Sequence, residues 1–395
     1  MKKEYTAAII GCGDIAHHHV SGYKLAGIDV CAVVDPLKAA RNQFSCEYGI
    51  KAGYESAEDL FASEKPDIVS VCTWHLLHPG PTICAAEAGV VGVICEKPMA
   101  VGLDLADQMI EACEKSGTKL VISHQRRFTP GWEKAKELVL SGAIGNIVRV
   151  DSKVMQGLLN CGTHAIDGVR FILDDPDTEW VMGAVERRSE RFERDTPIED
   201  GCMGLIQMEN GIQLNFQSDL DSKNASPGHF LFRGEQGLIE TTETWTRLWN
   251  EYTNGWEEQD LGIEKEEIDV IGGMSNARQA KELVNWLEGG TEHRCSGRRA
   301  RATVEIMMAI LESARRNQVI RLPLGETDYP LQLMIEEGLL PPEEEGVYDI
   351  RGFLNREGVD EARYAQLRAE GLGHHPIMRK LYEERNSKDK EGNDG

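Results

Sequence analysis

Ile9-Ile10-Gly11-Cys12-Gly13-Asp14-Ile15-Ala16 joins an apolar run to a helix-like segment through the spacing G-x-G-x-x-A. In that pattern Gly11 permits a tight turn, Gly13 lets the backbone approach a pyrophosphate, and Ala16 lets the helix pack closely on its strand. The helix start at Asp14 and Ile15 then faces the phosphates with free N–H groups and the positive end of its dipole. Asp35 ends the next apolar run, where a carboxylate can accept hydrogen bonds from the adenosine-ribose hydroxyls and repel a 2′-phosphate. The expected cofactor is NAD rather than NADP. A second reading, in which Asp35-Pro36 only caps the next helix, stays open.

Two more segments lie just past apolar runs: Cys72-Thr73-Trp74-His75-Leu76-Leu77-His78 and Cys95-Glu96-Lys97-Pro98. Strand ends of this kind are where doubly wound sheets bind ligands. A lysine directed there, beside a nicotinamide, can bond a substrate hydroxyl and hold a developing alkoxide, and Pro98 fixes the backbone behind it. Asn160, His164 and Asp167 are spaced to share one helical face. The histidine suits proton transfer, and the amide or carboxylate suits orienting a hydroxyl. His124-Gln125-Arg126-Arg127 follows the fifth run, and one or two of these should touch nicotinamide or substrate, with the choice among them open.

Elements must hold these residues. Apolar runs at 6–10, 30–34, 68–73, 90–95 and 119–123 alternate with helix-like stretches at 14–26, 36–48, 79–88 and 103–115. That alternation predicts a parallel sheet buried on both faces with right-handed crossovers, a doubly wound α/β domain over residues 1–125. After Ser141-Gly142 the pattern changes. Asn210-Gly211, between runs at 204–208 and 212–216, predicts a tight hairpin. Further strands are expected at 146–154, 228–233, 238–242 and 245–249, and helices at 164–173, 275–287 and 300–315. An antiparallel or mixed sheet is therefore expected to form a second domain over 126–330. Residues 331–395 form a charged extension, helical in places, and 386–395 carry no apolar side chain and are expected to be disordered.

Composition narrows the partners. The 395 residues carry 43 Lys+Arg against 66 Asp+Glu, a net charge of −23. Phosphates are repelled by such a surface, which excludes nucleic acid and anionic membranes as principal partners. No apolar stretch reaches the ~18 residues of a spanning helix. Residues 1–5 lead straight into a strand-like run, so no signal peptide is expected, and the 10 cysteines show no CxxC pair. Cys31, Cys72 and Cys95 sit inside apolar runs, so reduced core thiols in a cytoplasmic protein are expected. No metal site is expected, because His17, His18 and His19 point different ways on a helix. Trp245, Trp249 and Trp256 read as sheet packing, and Arg298-Arg299-x-Arg301 as a solvated or intersubunit face.

The ordered set Gly11-x-Gly13-x-x-Ala16, Asp35, Thr73-x-x-x-x-His78, Glu96-Lys97-Pro98, Arg127-Phe128, Ile144-Gly145 and Gly162-x-His164-x-x-Asp167 resembles the glucose-fructose oxidoreductase / inositol dehydrogenase / rhizopine-catabolism family over residues 5–325. The resemblance implies a Rossmann NAD(P)-binding domain, a second α/β domain that contacts substrate, and assembly as a homodimer or homotetramer through the open sheet. It implies hydride transfer between the nicotinamide and a secondary alcohol of a sugar, glycoside or cyclitol. Lys97 and His164 would be catalytic. Asn160, Asp167, Arg127 and Trp74 would meet the substrate. Gly11, Gly13, Asp14, Ile15, Asp35, Thr73, Trp74, His75, His78, Glu96, Lys97 and Gln125 would hold the cofactor. Two departures stand out: Asn160 replaces the aspartate of many members, and Trp74-His75 replaces a frequent Pro-Asn. Two other activities remain open from sequence, a glycosidase that oxidises a sugar transiently with NAD and a non-catalytic NAD-binding regulator.

Overall fold

The computed structural model describes residues 3–220, 228–264, 267–344 and 346–392. Strands β1 (Thr6–Ile10), β2 (Asp29–Val34), β3 (Ala52–Tyr54), β4 (Ile68–Val71), β5 (Gly92–Cys95) and β6 (Lys119–Ile122) pair in parallel in the order β3-β2-β1-β4-β5-β6. Along β1, Ala7 and Ile9 enter the core on one face of the sheet while Ala8 and Ile10 enter the core on the other. Burial of both faces is why these runs are continuously apolar. The strand order reverses between β1 and β4, so the loops leaving their carboxyl ends diverge and open a crevice. Strand β3, only three residues long at the sheet edge, has no apolar run and carries no sequence signal.

Beyond it lie β7 (Ile147–Val154), β8 (Thr178–Glu186), β9 (Glu190–Glu193), β10 (Thr196–Pro197), β11 (Gly201–Met208), β12 (Gln213–Ser218), β13 (Phe230–Gly234), β14 (Gly237–Thr241), β15 (Thr246–Asn250), β16 (Glu257–Glu258), β17 (Ile320–Arg321) and β18 (Val347–Asp349). Nine of them form one sheet, β16-β15-β14-β13-β7-β12-β11-β8-β17. It is mixed: β7 and β12 are parallel, and the other pairs among the described residues are antiparallel. The Asn210-Gly211 hairpin joins β11 to β12, with Gly211 at φ 87°. Val150, Leu214, Phe216, Phe230 and Phe232 pack inward with Ala165, Val169 and Ile310 of the helices Thr163–Ile172 and Gly297–Arg316. Strand β8 is unannounced by sequence because Gly183 breaks its alternation. A Cβ at Gly183 would lie 2.3 Å from the Ile310 carbonyl oxygen, so the helix sits directly on the backbone there.

Two placements differ from expectation. The helix Gly273–Leu287, expected in the second domain, packs on the first: a Cβ at Gly22 would come within 2.5 Å of Asn276 Cβ, and Leu283 joins the core beneath β1. The extension is also tied in. Strand β18 pairs with β9, and Phe353, Tyr364, Leu367, Ile377 and Met378 make a small core of their own. Arg368 then binds Glu47 at 2.6 Å on the helix Lys38–Tyr48 of the first domain. The last helix, His374–Gly392, continues through most of the stretch expected to be disordered, as its Glu, Lys and Arg content permits; residues 393–395 lie outside those described. Among the described residues, no helix is long and apolar enough to cross a membrane.

Candidate active site

The crevice at the β1/β4 switch point holds the glycine turn. Gly11 has φ 95°, and a Cβ there would lie 2.8 Å from the Cys72 carbonyl group, so only glycine lets the two loops touch. A Cβ at Gly13 would meet nothing within 4 Å, because that residue faces open space. The helix Asp14–Ala26 has no side-chain cap, leaving its first N–H groups free. Asp35 is fixed at the end of β2, accepting hydrogen bonds from Cys12 N and Leu37 N, both at 2.9 Å. Gly11, Gly13, Asp35, Thr73 and Trp74 line one continuous pocket, and Thr73 Oγ1 is buried without a partner. These residues fit NAD: a phosphate cradle, a ribose carboxylate, and an orphaned hydroxyl.

At Thr73 and Trp74 this pocket runs into a cleft of about 410 Å³. Its walls include Lys97, Gln125, Asn160 and His164. Lys97 leaves the end of β5, and its Nζ donates to the Asn160 carbonyl at 3.1 Å and to Asn160 Oδ1 at 3.0 Å. Burial pulls the lysine pKa down, and the nearby Cys161 and Glu193 oppose this only in part. Asn160 lies on a wide helical turn, Leu158–Gly162, that leads into the helix bearing His164. Burial, reinforced by the charges of Arg126 and Lys97, holds the His164 pKa well below the ordinary histidine range, so the imidazole is neutral at physiological pH. Its Nδ1 is buried without a hydrogen-bond partner.

Glu96 lines the cleft, but its carboxylate is engaged by His19 Nε2 at 2.9 Å. Burial raises the Glu96 pKa, yet the His19 hydrogen bond and the Lys97 charge outweigh it and hold the group at about 2. The structure thereby separates the three consecutive histidines: His19 reaches Glu96, while His17 bonds the Tyr48 hydroxyl at 2.6 Å.

Four expected contacts lie behind the walls. Arg127 is fully buried between Asp167, reached at 2.7 Å by two nitrogens, and Asp175 at 2.8 Å. Both residues of the Arg127–Asp167 pair are spent on this network, which no periodicity argument can reveal, and neither faces substrate. His75 bonds Thr196 Oγ1 at 2.7 Å, and His78 lies between the Pro98 carbonyl, 2.8 Å from Nδ1, and the Thr73 carbonyl, 3.2 Å from Nε2, with its one N–H to give. Of the cluster after the fifth run, Gln125 and Arg126 line the cleft, and Gln156, Arg194, Arg351 and His375 line it without having been singled out. Arg351 and His375 belong to the extension, beyond any recognisable motif; a cluster of Arg and His in an acidic tail is their only trace in the sequence.

Comparison with known proteins agrees with this layout. A model described as "Oxidoreductase family, NAD-binding Rossmann fold" matches residues 5–124, and one described as "Oxidoreductase family, C-terminal alpha/beta domain" matches residues 155–322. The chain is 28% identical over 251 residues to a 1,5-anhydro-D-fructose reductase of Ensifer adhaerens, covering 58% of this chain and 74% of that one. It is 24% identical over 362 residues to a D-apiose dehydrogenase of Paraburkholderia graminis, covering 83% and 92%. In fold it is similar to an aldose-aldose oxidoreductase from Caulobacter crescentus, with a TM-score of 0.69 at 21% identity over 81% of this chain and 100% of that one.

Proposed function

The chain belongs to the glucose-fructose oxidoreductase / inositol dehydrogenase / rhizopine-catabolism family of oxidoreductases, and from that premise we propose that it moves a hydride between NAD and a secondary alcohol of a sugar, glycoside or cyclitol. The observation that carries this reading is the meeting of Lys97 and His164 in one cleft continuous with the dinucleotide cradle. Bound in that cradle, NAD supplies the hydride acceptor. Lys97 Nζ donates to the substrate hydroxyl oxygen and stabilises its charge as it develops. Asn160 keeps that ammonium directed into the cleft. Neutral His164 accepts the hydroxyl proton. Thr73, Trp74 and Gln125 hold the nicotinamide end, and Asp35 takes the adenosine ribose.

The test is a screen of neutral and acidic sugars, glycosides and cyclitols with NAD, read as net NADH formation. Release of reducing sugar without net NADH would make the protein a glycosidase and overturn the reading. Lys97→Ala should lower turnover by ~10²–10³-fold with NAD affinity nearly intact. His164→Ala should cost a comparable factor, and the two losses should not add, since both residues act on one hydroxyl. NAD binding with turnover unaltered by Lys97→Ala would leave the cofactor-binding regulator.

The proposal extends to assembly. The outer face of the nine-stranded sheet presents Val148, Met182, Met203 and Trp249, each at least 46% exposed. A face of that kind suits a symmetric contact with a second copy, so a homodimer or homotetramer is expected. Light scattering that finds a monomer at micromolar concentration refutes it. All ten cysteines are free, in keeping with a reducing cytoplasm.

A further inference from the structure

We propose that the substrate carries a carboxylate or phosphate, held in the cleft by Arg351 and Arg194. The inference rests on the dehydrogenase reading for the identity of the cleft and names the class of molecule within it.

Four cationic side chains, Lys97, Arg126, Arg194 and Arg351, share the cleft with two carboxylates, Asp14 and Glu96. Glu96 is already engaged by His19, Arg126 by Glu243, and Arg194 by Glu193 at 3.3 Å. Lys97 and Arg351 differ. Among the described residues neither forms an ion pair, and both bond only neutral groups. Arg351 Nη2 donates to Gln156 Oε1 at 2.6 Å and Nη1 to His375 Nε2 at 3.0 Å. The Nε atoms of Arg194 and Arg351 are buried with no partner at all. Glu193 is paired with Arg194 and its charge also acts on Lys97 and Arg351, but one carboxylate does not balance three cations; partly buried charge left over is costly, and a neutral polyol closing this cleft would leave that cost in place. An oxyanion removes it, and the planar guanidinium fork matches carboxylate and phosphate oxygens in pairs.

The two arginines are also built into position. Arg351 follows β18 and Arg194 follows β9, the strands that pair when the extension folds back. The Asp349 carboxylate then accepts hydrogen bonds from the backbone N–H of Arg194 at 3.2 Å, Asp195 at 3.1 Å and Arg351 at 2.7 Å. One carboxylate therefore fixes the backbone of both residues. Gln156 links them to the reacting centre, because its Oε1 also accepts from Asn160 Nδ2 at 3.2 Å and Asn160 holds Lys97. Through Gln156 and Asn160 the Arg351 guanidinium is tied to Lys97, whereas the glycine turn and the uncapped helix start are the groups suited to the cofactor pyrophosphate. In a chain of net charge −23, a local cationic site is what admits an anionic ligand against the surrounding field.

The experiment compares each neutral sugar with its acid counterpart, for example glucose with glucuronate and with glucose 6-phosphate, in the wild type, Arg351→Gln and Arg194→Gln. NADH affinity is titrated alongside by nicotinamide fluorescence, and acid binding to the NADH complex by calorimetry. The wild type should prefer an acid over its neutral partner by at least about 30-fold in kcat/KM. Each variant should lower that preference by about 30-fold or more, the effect of truncating one side of a buried charge pair, with NADH affinity retained. Weaker NADH binding with an unchanged acid-to-neutral ratio would assign the guanidinium to the cofactor and overturn the inference. A fall in kcat equal for both classes would reduce Arg351 to a positioning residue and overturn it too. Turnover of neutral compounds alone would leave the dehydrogenase reading standing and sink this one. If no compound is oxidised, calorimetric binding of acid that Arg351→Gln abolishes still supports the anion site, and no acid binding rejects it.

Discussion

Asn160→Asp places a carboxylate beside Lys97 and tests how the proton work is divided. Asn160 Oδ1 lies 3.0 Å from Lys97 Nζ. At an effective dielectric of ~20, a unit negative charge at that distance stabilises the ammonium by about 5 kcal/mol, equivalent to about 4 pH units. Burial of the new carboxylate and solvent in the cleft work against it, so the Lys97 pKa should rise by at least about 1 unit. The sign follows from the roles. Lys97 must stay protonated to hold the alkoxide, so its burial-lowered pKa sets the alkaline limb of the turnover profile. His164 must be neutral to accept a proton, and its low pKa sets the acid limb. Asn160→Asp should therefore carry the alkaline limb upward and widen the plateau, measured as kcat for NAD reduction against pH under saturating substrate. Activity lost at neutral pH, with the acid limb moving upward instead, would mean that Lys97 itself is the base. His164 would then have no claim to the proton.

Asp35→Ser should reduce the NAD-over-NADP preference by at least about tenfold, since it removes the carboxylate that meets a 2′-phosphate and leaves Arg356 in the same pocket; wild-type protein that already prefers NADP refutes the assignment. Glu199 offers a stability test. Burial raises its pKa from 4.5 to about 7, so the native chain binds a proton that the unfolded chain has lost between those values, and stability falls as pH rises across that window. Glu199→Gln keeps an acceptor for Leu158 N and should stabilise the protein above pH 7 by up to about 3 kcal/mol, with the gain vanishing near pH 4.5. Urea unfolding at both ends of the window checks this, and a pH-independent difference would count against a buried, titrating Glu199.

The nucleotide half is readable from the chain because its determinants are local. Continuous apolar runs specify a sheet buried on both faces, and Gly11, Gly13 and Asp35 each act within a few residues of the strand that carries them. The Asn210-Gly211 hairpin is readable for the same reason. Lys97 and His164 are readable as candidates because strand ends and helix starts have fixed places in such folds. Strand β8 is not, since Gly183 answers to a helix more than a hundred residues away. Sequence alone therefore determined the fold class, the glycine turn with Asp35, and Lys97 and His164 as residues of one cleft. Only the tertiary structure decided that Arg127 and Asp167 neutralise each other behind the wall, that the helix Gly273–Leu287 serves the first domain, and that Arg351 comes back from the extension to line the cleft that holds Lys97. The physical reason is one of range. Backbone turns and apolar periodicity are set by neighbours in the chain, whereas a charged side chain is spent or free according to which distant segment brings, or fails to bring, its counter-charge.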